Sequence, residues 1–128
     1  MNIPLPLDPI EWYNIIKHST GYIGNNMHPV VVSMHNAVPF FSFDYYADYS
    51  RFSGKVNLEF SKIYDLLNHT ELLDNYVNVQ TRGFRFPEPE LVFESVHSFD
   101  KGKAKRIANT QLEVYRELMA TIERVISK

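Results

Sequence analysis

The side chains able to change charge near neutral pH are five histidines, and there are no cysteines beside them. His28 differs from the others in its setting. It follows the turn Gly24-Asn25-Asn26-Met27 and precedes Pro29, at the expected start of a helix. Such a turn offers a small residue for close backbone approach, two amide side chains and unpaired N–H groups. A helix N-terminus carries roughly half a positive charge, which suits a phosphate or carboxylate. On residue types alone, two readings of His28 stand level: a residue that merely caps the helix ahead of Pro29, or a member of an anion-binding site. His18 ends a helix, where the dipole favours a cation. His69 and His97 fall at helix ends or loops and read as solvated, and His35 lies about two helical turns beyond His28. No pair has the i, i+4 spacing of a metalloprotease helix and no carboxylate cluster accompanies them, so no metal site is expected. The lack of cysteine removes disulfides, thiolate metal sites and cysteine nucleophiles, and fits a cytoplasmic protein.

The elements that would hold this turn are legible from punctuation and apolar spacing. Asp8-Pro9-Ile10-Glu11 reads as a helix start, with Asp8 as cap, Pro9 at the first helical position and Glu11 closing a capping box. That helix covers about residues 9–18, and Gly21 is the expected left-handed C-terminal cap. Residues 22–25 form a short strand. Pro29 marks the first turn of a helix to about residue 38, apolar nearly all round, whose β-branched run Val30-Val31-Val32 leaves tertiary packing to hold it helical. Pro39 is the expected stop, and residues 40–43 are the next strand. Strand, covered helix and strand at this spacing predict a parallel sheet with helices on its faces.

Residues 44–57 read as a polar and aromatic loop, residues 61–67 as a helix, residues 76–79 as a third strand and residues 81–89 as a loop. Helices are predicted over residues 90–97 and 101–127, the last with Ile107, Leu112, Tyr115, Leu118, Met119, Ile122 and Ile126 as an apolar stripe. The fold class expected is α/β, a three-layer α/β/α arrangement around a mostly parallel Rossmann-like sheet. Three strands fall short of the roughly five of a self-contained doubly wound domain. The 128 residues are therefore expected to be a single α/β domain that is part of a larger α/β protein, or one whose sheet is completed by something else.

Composition bounds the partners. Hydrophobic residues at 45%, charged residues at 22% and a net charge of −2 describe an ordinary globular chain without the basic excess of a nucleic-acid surface. No window approaches the roughly 18 apolar residues of a membrane span, and the first residues lack the basic start and apolar core of a signal peptide. Aromatics at 14%, eight of them tyrosines among the tyrosine, phenylalanine and tryptophan total, are read as core packing before carbohydrate stacking.

The run Trp12-Tyr13-Asn14-Ile15-Ile16-Lys17, then Tyr22-Ile23-Gly24-Asn25-Asn26-Met27-His28, then Val38-Pro39-Phe40-Phe41-Ser42-Phe43 resembles the C-terminal region of the polysaccharide pyruvyl transferase family. Ser61-Lys62-Ile63-Tyr64-Asp65-Leu66-Leu67 and Leu72-Leu73-Asp74-Asn75-Tyr76-Val77 also look like a family segment. The similarity covers roughly residues 8–79 and 100–126. Pro29 departs from the glycine or alanine often found after the family's histidine. Ala47-Asp48 stand where some members have a basic residue, leaving Arg51 and Lys55 further on. The resemblance implies the C-terminal lobe of a glycosyltransferase B-like fold. It implies pyruvyl transfer from phosphoenolpyruvate to sugar hydroxyls in surface or exopolysaccharide biosynthesis, with release of phosphate and no cofactor. In that reading His28 is the catalytic residue, and Asn25, Asn26, Met27, Arg51 and Lys55 bind substrate. The partners implied are phosphoenolpyruvate, a glycan acceptor, and an N-terminal lobe or a second copy, with the chain inactive alone. A non-catalytic binding module and a nucleotide-sugar glycosyltransferase lobe are the competing expectations.

Overall fold

The computed structural model describes residues 6–45, 48–49 and 55–127. Helix α1 (Pro9–Lys17) begins as its sequence dictates: Asp8 Oδ1 accepts from the amides of Ile10 and Glu11 at 2.8 and 2.9 Å, and Glu11 Oε2 accepts the Asp8 amide at 3.2 Å. Its end differs from expectation. The helix closes on His18, and Gly21 does not adopt a positive φ. A Cβ at Gly21 would lie 3.3 Å from the Pro39 carbonyl oxygen and 3.3 Å from Val96 Cγ1. Glycine is there for a close approach, not for a cap.

Strand β1 (Tyr22–Gly24), helix α2 (Met27–His35) and strand β2 (Phe40–Asp44) form the expected unit, with β1 and β2 parallel and Tyr22 opposite Phe40. α2 starts earlier than its proline suggested and is not stopped by Pro39. It ends at Asn36 in a Schellman motif: the Val38 amide bonds the Ser33 carbonyl at 2.8 Å and the Ala37 amide bonds that of Met34 at 3.2 Å, with Ala37 at φ 52°. Strand β5 (Tyr76–Asn78) lies parallel to β2 on its other edge, so the sheet order is β1-β2-β5. Part of the expected loop after β2 is instead a short antiparallel pair, β3 (Asp48–Tyr49) with β4 (Val56–Asn57).

Among the described residues three more α-helices follow: α3 (Lys62–His69), α4 (Pro89–His97) and α5 (Lys101–Ile126). α3 also ends in a Schellman motif, with Glu71 at φ 57° and the amide of buried Leu72 on the Leu67 carbonyl at 2.8 Å. α2 is the helix most enclosed by the rest. Its Val30 and Met34 are fully buried with Phe40, Leu67 and Ala104, and the Phe40 and Phe99 rings stand 5.2 Å apart. Ala104 and Ile107 tie the start of α5 to this core, whereas every residue from 112 to 127 is exposed. No described helix is long and apolar enough to cross a membrane. The molecule is thus an α/β fold built on a small, wholly parallel three-stranded sheet.

Candidate functional site

A cleft of about 300 Å³ opens beyond the carboxyl ends of β1 and β2. One wall is the turn Asn25, Asn26 and Met27 leading into α2, and the other is Phe60, Ser61, Lys62 and Ile63 leading into α3. Two helix N-termini therefore face one space, each bringing a positive partial charge. Lys62, at the first position of α3, adds a full one; it is exposed and makes no ion pair among the described residues.

The turn is shaped by Tyr22. Its hydroxyl accepts the Asn26 amide at 3.3 Å, and its ring tip lies where a Cβ on Gly24 would stand, 2.3 Å from that position. The close approach that Gly24 permits is thus made by the chain's own tyrosine. Burial pushes the Tyr22 hydroxyl pKa up, opposed by the Asn26 amide, so the group remains a neutral phenol at physiological pH. Ser42, buried on β2, donates its hydroxyl to the Gly24 carbonyl at 3.2 Å and joins the turn to the central strand.

At the floor of the cleft Asp44 ends β2, fully buried. Asn78 Nδ2 donates to its Oδ1 at 2.7 Å and the Tyr76 hydroxyl to the same oxygen at 3.0 Å, while the Ser61 hydroxyl donates to Oδ2. Ser61 Oγ in turn accepts the Tyr64 amide at 3.0 Å as the N-cap of α3. A buried carboxyl is tolerated when donors saturate it, and here they come from two separate segments, the N-cap of α3 and strand β5. Burial, reinforced by the negative charge of Asp44, holds the Tyr76 phenol pKa up at about 12, so it stays protonated and donates to Asp44. Asp44 is accordingly a positioning residue: it fixes Ser61, and through Ser61 the start of α3 and Lys62.

The structure brings Asn25, Asn26 and Met27 together in this cleft. His28 is the next residue on α2, exposed and with no side-chain hydrogen bond among the described residues; it sits beside the cleft and not in its lining. Lys55 precedes β4, exposed and outside the lining, and Arg51 lies outside the described residues. Asp44, Ser61, Lys62, Tyr76 and Asn78 were not singled out from sequence. The available signal was an acidic residue closing an apolar run, Phe40-Phe41-Ser42-Phe43-Asp44, since ligands of parallel sheets gather at that end of a strand. A second depression of about 410 Å³ between α3 and α5 carries Lys103, but that ammonium is committed to the Glu71 carbonyl at 2.6 Å and carboxylate at 3.6 Å.

The matched segment ends just past Asp44. The polysaccharide pyruvyl transferase family model matches residues 1–46. The matched segment takes in α1, β1, α2 and β2, and so the whole unit that presents the turn and the buried carboxyl. The family implies a pyruvyl donor and a glycan acceptor. No curated protein and no solved structure gave a significant match to the chain.

Proposed function

We propose that the chain is one lobe of a pyruvyl transferase acting in polysaccharide biosynthesis, with the cleft between α2 and α3 holding the anionic end of phosphoenolpyruvate. The observation that carries this reading is the family match over the segment that builds one wall of the cleft. The opposite wall supports it with the α3 N-terminus and Lys62, a setting suited to a polyanion.

In this reaction the donor's methylene carbon takes a proton, positive charge grows on the adjacent carbon, and two sugar hydroxyls add there as phosphate leaves. One hydroxyl proton balances that delivered to the methylene, and the other departs with phosphate. Lys62 and the amides around Asn26 and Met27 neutralise the donor. His28, at the rim of the cleft, exchanges the proton. Asn25 and the neighbouring amide side chain orient the donor, with Arg51 and Lys55 on the segment after β2 as further anion contacts. A glycosyltransferase B-like pairing with a second lobe would supply the acceptor wall, so the 128 residues alone bind the donor without transferring pyruvyl.

Isothermal titration tests this directly. Phosphoenolpyruvate should give saturable heat that weakens in Lys62→Ala and His28→Ala, while nucleotide sugars give none. In a complete two-lobed enzyme His28→Ala should cost about 2–4 kcal/mol of transition-state stabilisation, the range for losing one such group. Heat from nucleotide sugars alone would transfer the cleft to glycosyl transfer, and heat from neither would leave a family fold without donor binding.

A further inference from the structure

The first turns of α5 are firmly held. Asp100 caps the helix through the Lys103 amide at 2.8 Å, Ala104 is fully buried, and His35 Nε2 meets Gln111 Oε1 at 2.6 Å. From Leu112 onward every described residue of the helix is exposed, yet Leu112, Tyr115, Met119, Ile122 and Ile126 recur at alternating spacings of three and four residues. That is the seam of a two-stranded coiled coil. Leu118 and Val125 widen it on one flank, 56% and 69% exposed, and Arg116 and Glu123 border the other. Neither of these charges forms an ion pair among the described residues.

We infer that the distal half of α5 pairs antiparallel with the same segment of a second copy of this chain. The flanking residues decide both partner and direction. In a parallel pair Leu118 would face Glu123 of the other helix, setting an apolar side chain against a carboxylate. In the antiparallel pair Tyr115 meets Ile126, Met119 meets Ile122, Leu118 meets Val125, and Arg116 meets Glu123. Each contact occurs twice about the two-fold axis, so the face is complementary to itself, as an isologous interface requires. Charge matches charge and apolar matches apolar without any other protein being needed.

Sedimentation equilibrium on the full chain, from low to high micromolar, should show a reversible monomer–dimer equilibrium. Arg116→Glu and Glu123→Arg should each raise the dissociation constant about tenfold, because two attractive contacts become repulsive. The double variant Arg116→Glu/Glu123→Arg should restore the original value. Within one helix these positions are two turns apart, so rescue reports contact between chains. Far-ultraviolet circular dichroism confirms that each variant keeps its helices. A chain that is monomeric at every concentration overturns the inference, as does a dimer indifferent to the single reversals or one that the double variant fails to restore.

Discussion

α2 and α5 reach the helical state by opposite routes. α2 is a short helix with the run Val30-Val31-Val32 and no side-chain hydrogen bond at its N-cap, and a segment of that kind is unstable in water by itself. It is helical because Val30 and Met34 are sealed against the sheet. α5 has 26 residues, a capping aspartate and local bonds such as Arg124 Nε to the Ala120 carbonyl at 3.3 Å. It holds its shape far beyond its last buried neighbour. Apolar patterning in this chain therefore measures a helix's demand for a partner, and of these two helices only α2 has that demand met along its length by the rest of the same chain.

The sharpest way to break this contrast is a matched pair of truncations. Met34→Ala should lower stability by about 2–4 kcal/mol, the cost of emptying a sealed core position. Met119→Ala, measured in urea at concentrations that keep the chain monomeric, should change it by less than about 0.5 kcal/mol. Equal losses would mean that the distal half of α5 is packed after all.

A second test sharpens the enclosed side of the comparison through pH. The folded chain holds the Tyr76 proton up to about 12, above the ordinary tyrosine value of 10.0, so the phenol's contribution is complete below pH 10. It is lost as pH rises from there to about 12, because only the unfolded chain releases the proton at the lower value. Tyr76→Phe should flatten its share of that alkaline decline, read as the slope of unfolding free energy against pH. An unchanged slope would show that water reaches the phenol.

The smallest effect lies at the hinge between the two regimes, where Lys103 of α5 grips the α3 terminus. Glu71 is exposed and left-handed at φ 57°, while its carbonyl makes the contact. Glu71→Gly should raise stability by about 0.5–1 kcal/mol by removing the Cβ penalty and leaving the carbonyl in place. A loss instead would show that the side chain's approach to Lys103 outweighs the backbone strain.

Much of the fold was legible because its signals are local. The Asp8 cap, the apolar runs of β1 and β2 and the covered helix between them each declare themselves within a few residues, and the parallel pairing follows from their spacing. The left-handed caps were not legible: they fall on Ala37 and Glu71, not on Gly21, because the residue after each, Val38 or Leu72, is drawn into the core. The exposure of α5 was hidden as well. Its periodicity is that of an inward face, but at roughly 1.5 Å per residue the helix is about 39 Å long, more than this small domain can cover. At the candidate site the turn at Asn25–Met27 was visible as a motif. The bonded cluster around Asp44 was not, since Ser61, Tyr76 and Asn78 become its neighbours only through tertiary structure.

That cluster also bears on the sheet when only half of it is built. β1, α2 and β2 can associate once the chain has been made as far as Asp44, with only a short loop to close. Until Ser61, Tyr76 and Asn78 arrive, the carboxyl at the end of β2 has none of its three donors and stays in water, holding open the edge on which β5 will add. The same group that anchors the finished cleft thus sets an acidic side chain on the β2 edge of any half-sheet that lacks β5, and an acidic side chain on a bare edge disfavours pairing with a stranger.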